Sequence, residues 1–114
     1  MIKRIYKGYR GEGKTKWLVE NAIDSVVISA QNNDETTNLF YIGDIATYNN
    51  FVRTYEDIMH TKCPIERWDH KDMRGCNNAI LFTDELMDNM NYIPCDIPEG
   101  GIWYITMSSE DFVS

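Results

Sequence analysis

The chain lacks several features that would narrow its function at once. No run of about 18 apolar residues occurs, so no membrane-spanning helix is expected. The first ten residues, MIKRIYKGYR, hold no apolar signal-peptide core, which makes a cytoplasmic protein the expectation. Positive charge is in deficit: 11 Lys and Arg stand against 18 Asp and Glu, a formal net charge of −7. Salt-driven nucleic-acid binding is usually the work of a basic domain, so no strong nucleic-acid signal is present. Cysteine is sparse and odd in number, at Cys63, Cys76 and Cys95, with no C-x-x-C pair. Reduced thiols are expected rather than a disulfide framework. His60, Cys63, His70 and Cys76 lie near one another in sequence, but their spacing matches no common zinc pattern. Internal repeats and low-complexity linkers are also missing.

What is there suffices for a core. Hydrophobic residues make up 43% of 114 positions, too many for a disordered chain, and the length predicts one domain over 1–114. Residues 2–7, IKRIYK, are β-compatible and predict a short strand. In KTKWLVENAID, Leu18 with Ala22 and Val19 with Ile23 stand four apart and predict a helix over about 14–23. The β-branched run VVISA, 26–30, predicts a second strand buried on both faces. Residues 39–42, LFYI, are compatible with a further short strand. From Asp44, a suitable N-cap, the spacing of Ile45, Tyr48, Phe51, Val52 and Tyr55 predicts a helix over 45–59. Residues 61–78 have no clean period and read as an irregular insertion. AILFTDE, 79–85, reads as an apolar strand ending in two acids, and IWYITMSS, 102–109, as a strand ending in hydroxyls. The expected fold is a three-layer α/β sandwich with a mainly parallel sheet, strands at 2–7, 26–30, 79–84 and 102–107, and helices covering its faces. Expected core residues include Ile5, Leu18, Ala22, Val26, Ile28, Phe51, Val52, Tyr55, Ile80, Phe82, Ile102, Tyr104 and Ile105. Trp17, Trp68 and Trp103 are expected to pack half-buried.

One stretch carries chemistry. Between the first strand and the first helix stands GYRGEGKT, in which Gly8, Gly13, Lys14 and Thr15 satisfy G-x-x-x-x-G-K-[ST]. Such a loop curls its backbone N–H groups around phosphate oxygens at a positive helix end. Glycine permits the curl and the close approach. The phosphate-contacting set is Gly8, Tyr9, Arg10, Gly11, Glu12, Gly13, Lys14, Thr15 and Lys16. Lys14 is placed to reach the outer phosphates as an exposed cation, and Thr15 to offer its hydroxyl to Mg²⁺. A magnesium triphosphate also needs an acid at the end of a neighbouring buried strand, which is where Asp84 falls. Glu85, one residue on, points differently and suits the polarisation of an attacking water.

GYRGEGKT resembles a Walker A motif and AILFTDE a Walker B motif. Together they resemble P-loop NTPases of the additional-strand, catalytic-glutamate division, which includes AAA+ proteins, helicases and terminase-type motors. The resemblance implies strand order 5-1-4-3-2, the extra strand lying between the Walker strands. It also implies a polar sensor at the tip of the strand after Walker B, a place matched by Ser108 or Ser109 and less well by Thr106. Thr83 departs from the usual apolar residue of Walker B. The family's fifth strand and following helix are not matched in these 114 residues. A loop arginine at the offset of Arg10 occurs in terminase-like motors, which would make it a finger in cis; read from the loop alone, a solvent-facing Arg10 is the expectation. Arg53, Arg67 and Arg74 could serve only across a subunit boundary in a ring.

Three functions follow from these residues. The chain reads as a magnesium-dependent ATPase with ATP as ligand, as a module that binds a nucleoside triphosphate to order a protein partner or homo-oligomer, or as a small nucleoside or nucleotide kinase. Glu85 favours hydrolysis over kinase activity, as does the missing downstream lid. The guanine-reading N-K-x-D is absent, which favours ATP over GTP. Tyr9 or Trp17 could stack on the base if either faces the nucleotide.

Overall fold

The structure, a computed structural model, describes residues 1–9, 11, 13–32, 38–69, 73, 76 and 78–108. Its elements run β1 (Ile2–Gly8), α1 (Lys14–Gln31), β2 (Asn38–Tyr41), α2 (Ile45–Met59), β3 (Glu66–Arg67), β4 (Asn78–Thr83), a 3₁₀ helix (Leu86–Tyr92) and β5 (Gly100–Ser108). The five strands form one sheet in the order β1-β5-β4-β2-β3, and every pairing is parallel. This is the α/β class expected from the sequence. The helix over 45–59 starts at Asp44, whose carboxylate accepts the Thr47 amide at 2.7 Å.

The strand expected at 26–30 does not exist. VVISA forms the last turns of α1, which continues to Gln31. No Gly or Pro interrupts the helix after Gly13, and β-branched residues on a helix surface cost only tenths of a kcal/mol each. Val27 and Ile28 point outward, 41% and 56% exposed, so Ile28 is not core. Neither is Ile5, on β1, at 46% exposed. The second strand is instead β2, beside β4, in the region read as LFYI.

Both α-helices lie on the same face of the sheet. Leu18, Val19 and Ala22 of α1 join Phe51 and Tyr55 of α2 over Tyr41 and Phe82. The opposite face carries Ala79, Leu81, Trp103, Ile105 and Met107, covered by Leu86 and Ile93 with Trp68 and Met73 from irregular chain. Crossovers between parallel strands keep one hand, so the direction of travel selects the face. The steps β1 to β2 and β2 to β3 move one way along the sheet and carry α1 and α2. The steps β3 to β4 and β4 to β5 move back, and their connections fall on the other face. The third layer is therefore a 3₁₀ helix and irregular chain, not the second α-helix.

The strand order also departs from the one the resemblance implies. β5 does lie between β1 and β4. The fifth strand, however, is β3, which extends the far edge by pairing Glu66 and Arg67 with Phe40 and Tyr41, and β1 is itself an edge among the described residues. Thr83 is wholly buried and accepts the indole N–H of Trp103 at 2.9 Å. A polar residue there satisfies a donor that burial would otherwise strand. Trp103 is accordingly buried, at 3% exposed, rather than half-buried.

Candidate functional site

The parallel register brings the C-terminal ends of β1, β5 and β4 to one edge: Gly8 pairs with Ser108, and Thr83 with Ile105. Side chains from the loop after β1 and the turn after β4 meet there. Ligands of parallel α/β sheets commonly bind at this edge.

Gly11 and Gly13 have φ of 86° and 78°, left-handed values that favour glycine. A Cβ at either would meet nothing within 4 Å, so backbone conformation rather than space demands glycine. Gly13 caps α1 without a side-chain acceptor, and no acid stands in the first turn. The first bond of the helical ladder runs from the Trp17 amide to the Gly13 carbonyl, 2.9 Å. The amides of Lys14, Thr15 and Lys16 precede that ladder and form a positive helix end.

Lys14 is buried, at 7% exposed, not exposed as the sequence suggests. Its ammonium folds back across the loop, donates to the Gly8 carbonyl at 3.1 Å and lies 3.0 Å from a Glu85 carboxylate oxygen. Two acceptors within reach outweigh solvation of the chain end.

Asp84 is 3% exposed and uses both oxygens. Thr15 donates its hydroxyl to Oδ2 at 2.7 Å, and Thr106 donates to Oδ1. The Thr106 hydroxyl also accepts the Glu85 amide at 2.8 Å. One hydroxyl thus joins the two acids, and it belongs to Thr106 on β5. Ser108 lies beside Gly8 at the root of the loop, two residues beyond Thr106.

Glu85 has φ of 50°, an uncommon conformation for a residue with a side chain, costing on the order of 1 kcal/mol or more. Asn89, wholly buried on the 3₁₀ helix, holds this turn. Its amide donates to the carbonyls of Asp84 at 2.6 Å and Glu85 at 3.4 Å, and its oxygen accepts the Asp44 amide at 3.0 Å. The acids are thereby tied to the start of α2. Tyr41 closes the back of the site, its hydroxyl accepting the Asp84 amide at 3.3 Å. Burial pushes the Tyr41 phenol well above its ordinary range, and the Asp84 charge adds to the rise, so the hydroxyl stays protonated.

A cleft of about 340 Å³ is lined by Gly11, Gly13, Lys14, Thr15, Lys16, Asn50 and Glu85. Larger cavities of about 480 and 490 Å³ lie elsewhere, beside Arg67 and Tyr92 and beside Ile5 and Met90. The smaller cleft is the one where the start of α1, Lys14 and Glu85 converge. Lys16 stands at its rim, paired loosely with Glu20 at 3.9 Å. Tyr9 is exposed, whereas the Trp17 ring packs against Tyr6 and Tyr104, on the sheet rather than toward the cleft. Arg10, Glu12, Arg74 and Ser109 lie outside the described residues, as does His70 of the zinc grouping. Among the described residues, no three His, Cys, Asp or Glu cluster to hold a metal, and no helix is long and apolar enough to cross a membrane.

Asn50, Asn89, Tyr41 and the double role of Thr106 carry no sequence signal comparable to the glycine loop. Only the alternation of β5 could have placed Thr106 on the face opposite Trp103 and Ile105. No protein-family model, no curated protein and no solved structure matches this chain.

Proposed function

We propose that the chain binds a nucleoside triphosphate, ATP for preference, with Mg²⁺ at the 8–15 loop and hydrolyses it slowly. One observation carries the reading. Lys14, Thr15, Asp84 and Glu85, 69 to 71 residues apart in two pairs, meet at the mouth of a glycine loop that opens a helix. A loop that served only as a turn would not require a buried lysine and two acids to face it.

Thr15 and Asp84 fit the metal. Mg²⁺ keeps several waters and takes few protein oxygens, so a hydroxyl and a carboxylate within 2.7 Å of each other suffice beside phosphate ligands. When bound, the ion neutralises charge on the phosphate oxygens. The chain's residues do the rest. Lys14 and the amides at the start of α1 hold the outer phosphates. Glu85 takes a proton from a water as its oxygen attacks the γ-phosphorus, and the bond to the β–γ bridging oxygen breaks, giving ADP and inorganic phosphate. Thr106 and Asn89 hold the acids in place.

A non-hydrolysing binding module is the second reading. The Lys14–Glu85 pair favours it, because the carboxylate that would polarise water is already engaged. In addition, no arginine is among the described residues lining the cleft.

Calorimetry with ATP, GTP and a non-hydrolysable analogue, with and without Mg²⁺, tests the binding, and phosphate release under single turnover tests the hydrolysis. Saturable, magnesium-dependent binding with slow phosphate release is expected. Absence of binding to any triphosphate would end the proposal, and binding without release would leave the module.

A further inference from the structure

The cleft at the glycine loop has one wall that neither the loop nor the strand ends supply. Asn50, from α2, shares its lining with Lys14, Thr15 and Glu85. Holding the metal and polarising a water, as proposed above, make no use of it. Asn50 is exposed, and its backbone carbonyl accepts the Thr54 hydroxyl at 2.9 Å. Among the described residues its carboxamide has no hydrogen-bond partner. An exposed asparagine on a helix is common, so its position must decide what it can do.

The start of α2 is anchored to the turn that carries Glu85. Asn89 accepts the Asp44 amide, donates to the Thr47 hydroxyl at 3.3 Å, and donates to the carbonyls of Asp84 and Glu85. Asn50 follows Thr47 by three residues, so the two lie on one face of α2, a turn apart. The Asn50 side chain therefore enters the cleft from the side of the Glu85 turn. A triphosphate in this cleft keeps its inner phosphates at the start of α1. Its terminal phosphate then lies between Glu85 and Asn50.

That terminal phosphate is the part of the ligand most in need of donors. It brings negative charge toward Asp84 and Glu85. The cations among the described lining residues are already engaged, Lys14 with Glu85 at 3.0 Å and Lys16 with Glu20 at 3.9 Å. A carboxamide offers two N–H donors without a charge. An arginine or lysine at position 50 would add a second cation to Glu85, and an acid would repel the phosphate. Asparagine suits a place that must donate to phosphate beside a carboxylate.

We propose that Asn50 donates its carboxamide N–H to the terminal phosphate and so sets the preference of this site for a nucleoside triphosphate over the diphosphate. ADP lacks the group that Asn50 reads. The inference rests on the triphosphate reading, and it adds to that same site a specificity-determining residue from a different element.

The test compares ATP and ADP affinities, each with Mg²⁺ in low salt, by calorimetry on the full chain. Wild type should prefer ATP. Asn50→Ala should lower the ratio of ATP to ADP affinity by about tenfold, the scale of one hydrogen bond to a charged group, with ADP affinity nearly unchanged. Asn50→Asp should lower it further, because it sets a like charge against the phosphate. Asn49→Asp is the control. Asn49 is also exposed on α2 but stands outside the cleft lining, so the same change of charge should move the ratio by no more than about twofold. All three changes are on the helix surface, and alanine is the better helix former, so folding should persist in a thermal melt. The proposal is overturned if wild type binds ATP and ADP alike, or if both Asn50 variants keep the wild-type ratio. It is equally overturned if Asn49→Asp lowers the ratio as far as Asn50→Asp does. In each of these outcomes ATP still binds, so the triphosphate reading survives. A wild type that binds no nucleotide ends that reading and this inference with it.

Discussion

The ammonium of Lys14 and the carboxylate of Glu85 form an ion pair, Nζ to Oε1 3.0 Å, across the mouth of the glycine loop. A triphosphate that uses Lys14 must compete with Glu85 for it. Glu85→Gln removes the competitor and the base together. Turnover is expected to fall about 10²–10⁴-fold, while triphosphate affinity rises a few-fold, since the pair is partly solvated. Calorimetry alongside single-turnover phosphate release checks both. A variant that hydrolyses ATP at the wild-type rate removes Glu85 from the chemistry.

Lys14→Ala should weaken triphosphate binding by about 1.5–3 kcal/mol, the usual worth of a charge-assisted hydrogen bond. Because Lys14 is buried against Gly8, Lys14→Met is the better control for packing. Both variants should lose affinity alike, and a thermal melt beside each titration separates binding from folding. Unchanged ATP affinity in folded Lys14→Met would sink the phosphate-loop reading.

Thr15→Val removes a donor to Asp84, and Asp84→Asn removes the acid that accepts it. Either change should shift the Mg²⁺ concentration that half-saturates nucleotide binding upward by about tenfold or more, with a smaller effect on metal-free binding. The comparison is a magnesium titration at fixed nucleotide. Equal half-saturation in wild type and Asp84→Asn would remove Asp84 from the metal site.

Asn89→Leu keeps the volume of a wholly buried side chain but leaves the Asp84 carbonyl and the Asp44 amide without it. Unpaired buried polar groups cost about 1–3 kcal/mol each. Urea unfolding should show a loss of about 3 kcal/mol. In the protein that remains folded, turnover should fall more than affinity, because the Glu85 turn loses its support.

Alkaline pH should destabilise the fold. Burial raises the Cys63 thiol above its ordinary 9.0 and the Tyr41 phenol above its ordinary 10.0. The folded state then keeps protons that the unfolded chain releases, so stability is full below about pH 9 and declines as pH rises, by up to about 1.4 kcal/mol per pH unit for each group. Urea midpoints at pH 7.5, 9 and 10.5 read this directly. Cys63→Val should lessen the fall between the last two values.

The sequence by itself determined the local elements and the chemical identity of the candidate site. Glycines with Lys14 and Thr15, an apolar strand before Asp84 and Glu85, and a capped helix from Asp44 are each written in a few neighbouring residues. Local chemistry sets turns, caps and periods, so such stretches are legible alone. The run VVISA misled because β-branching marks a strand only where neighbouring strands bury it, and here α1 simply continues. Only the tertiary structure decided which face each helix covers, since crossover direction depends on strand order and not on any helix's own residues. It alone brought Thr106 and Asn89 to the acids and drew Lys14 inward to Glu85. These pairings join residues up to 71 positions apart, and nothing within either segment encodes its partner. The place of β1 arose the same way: IKRIYK reads as a strand on any sheet, and its position beside β5 follows from how the strands paired.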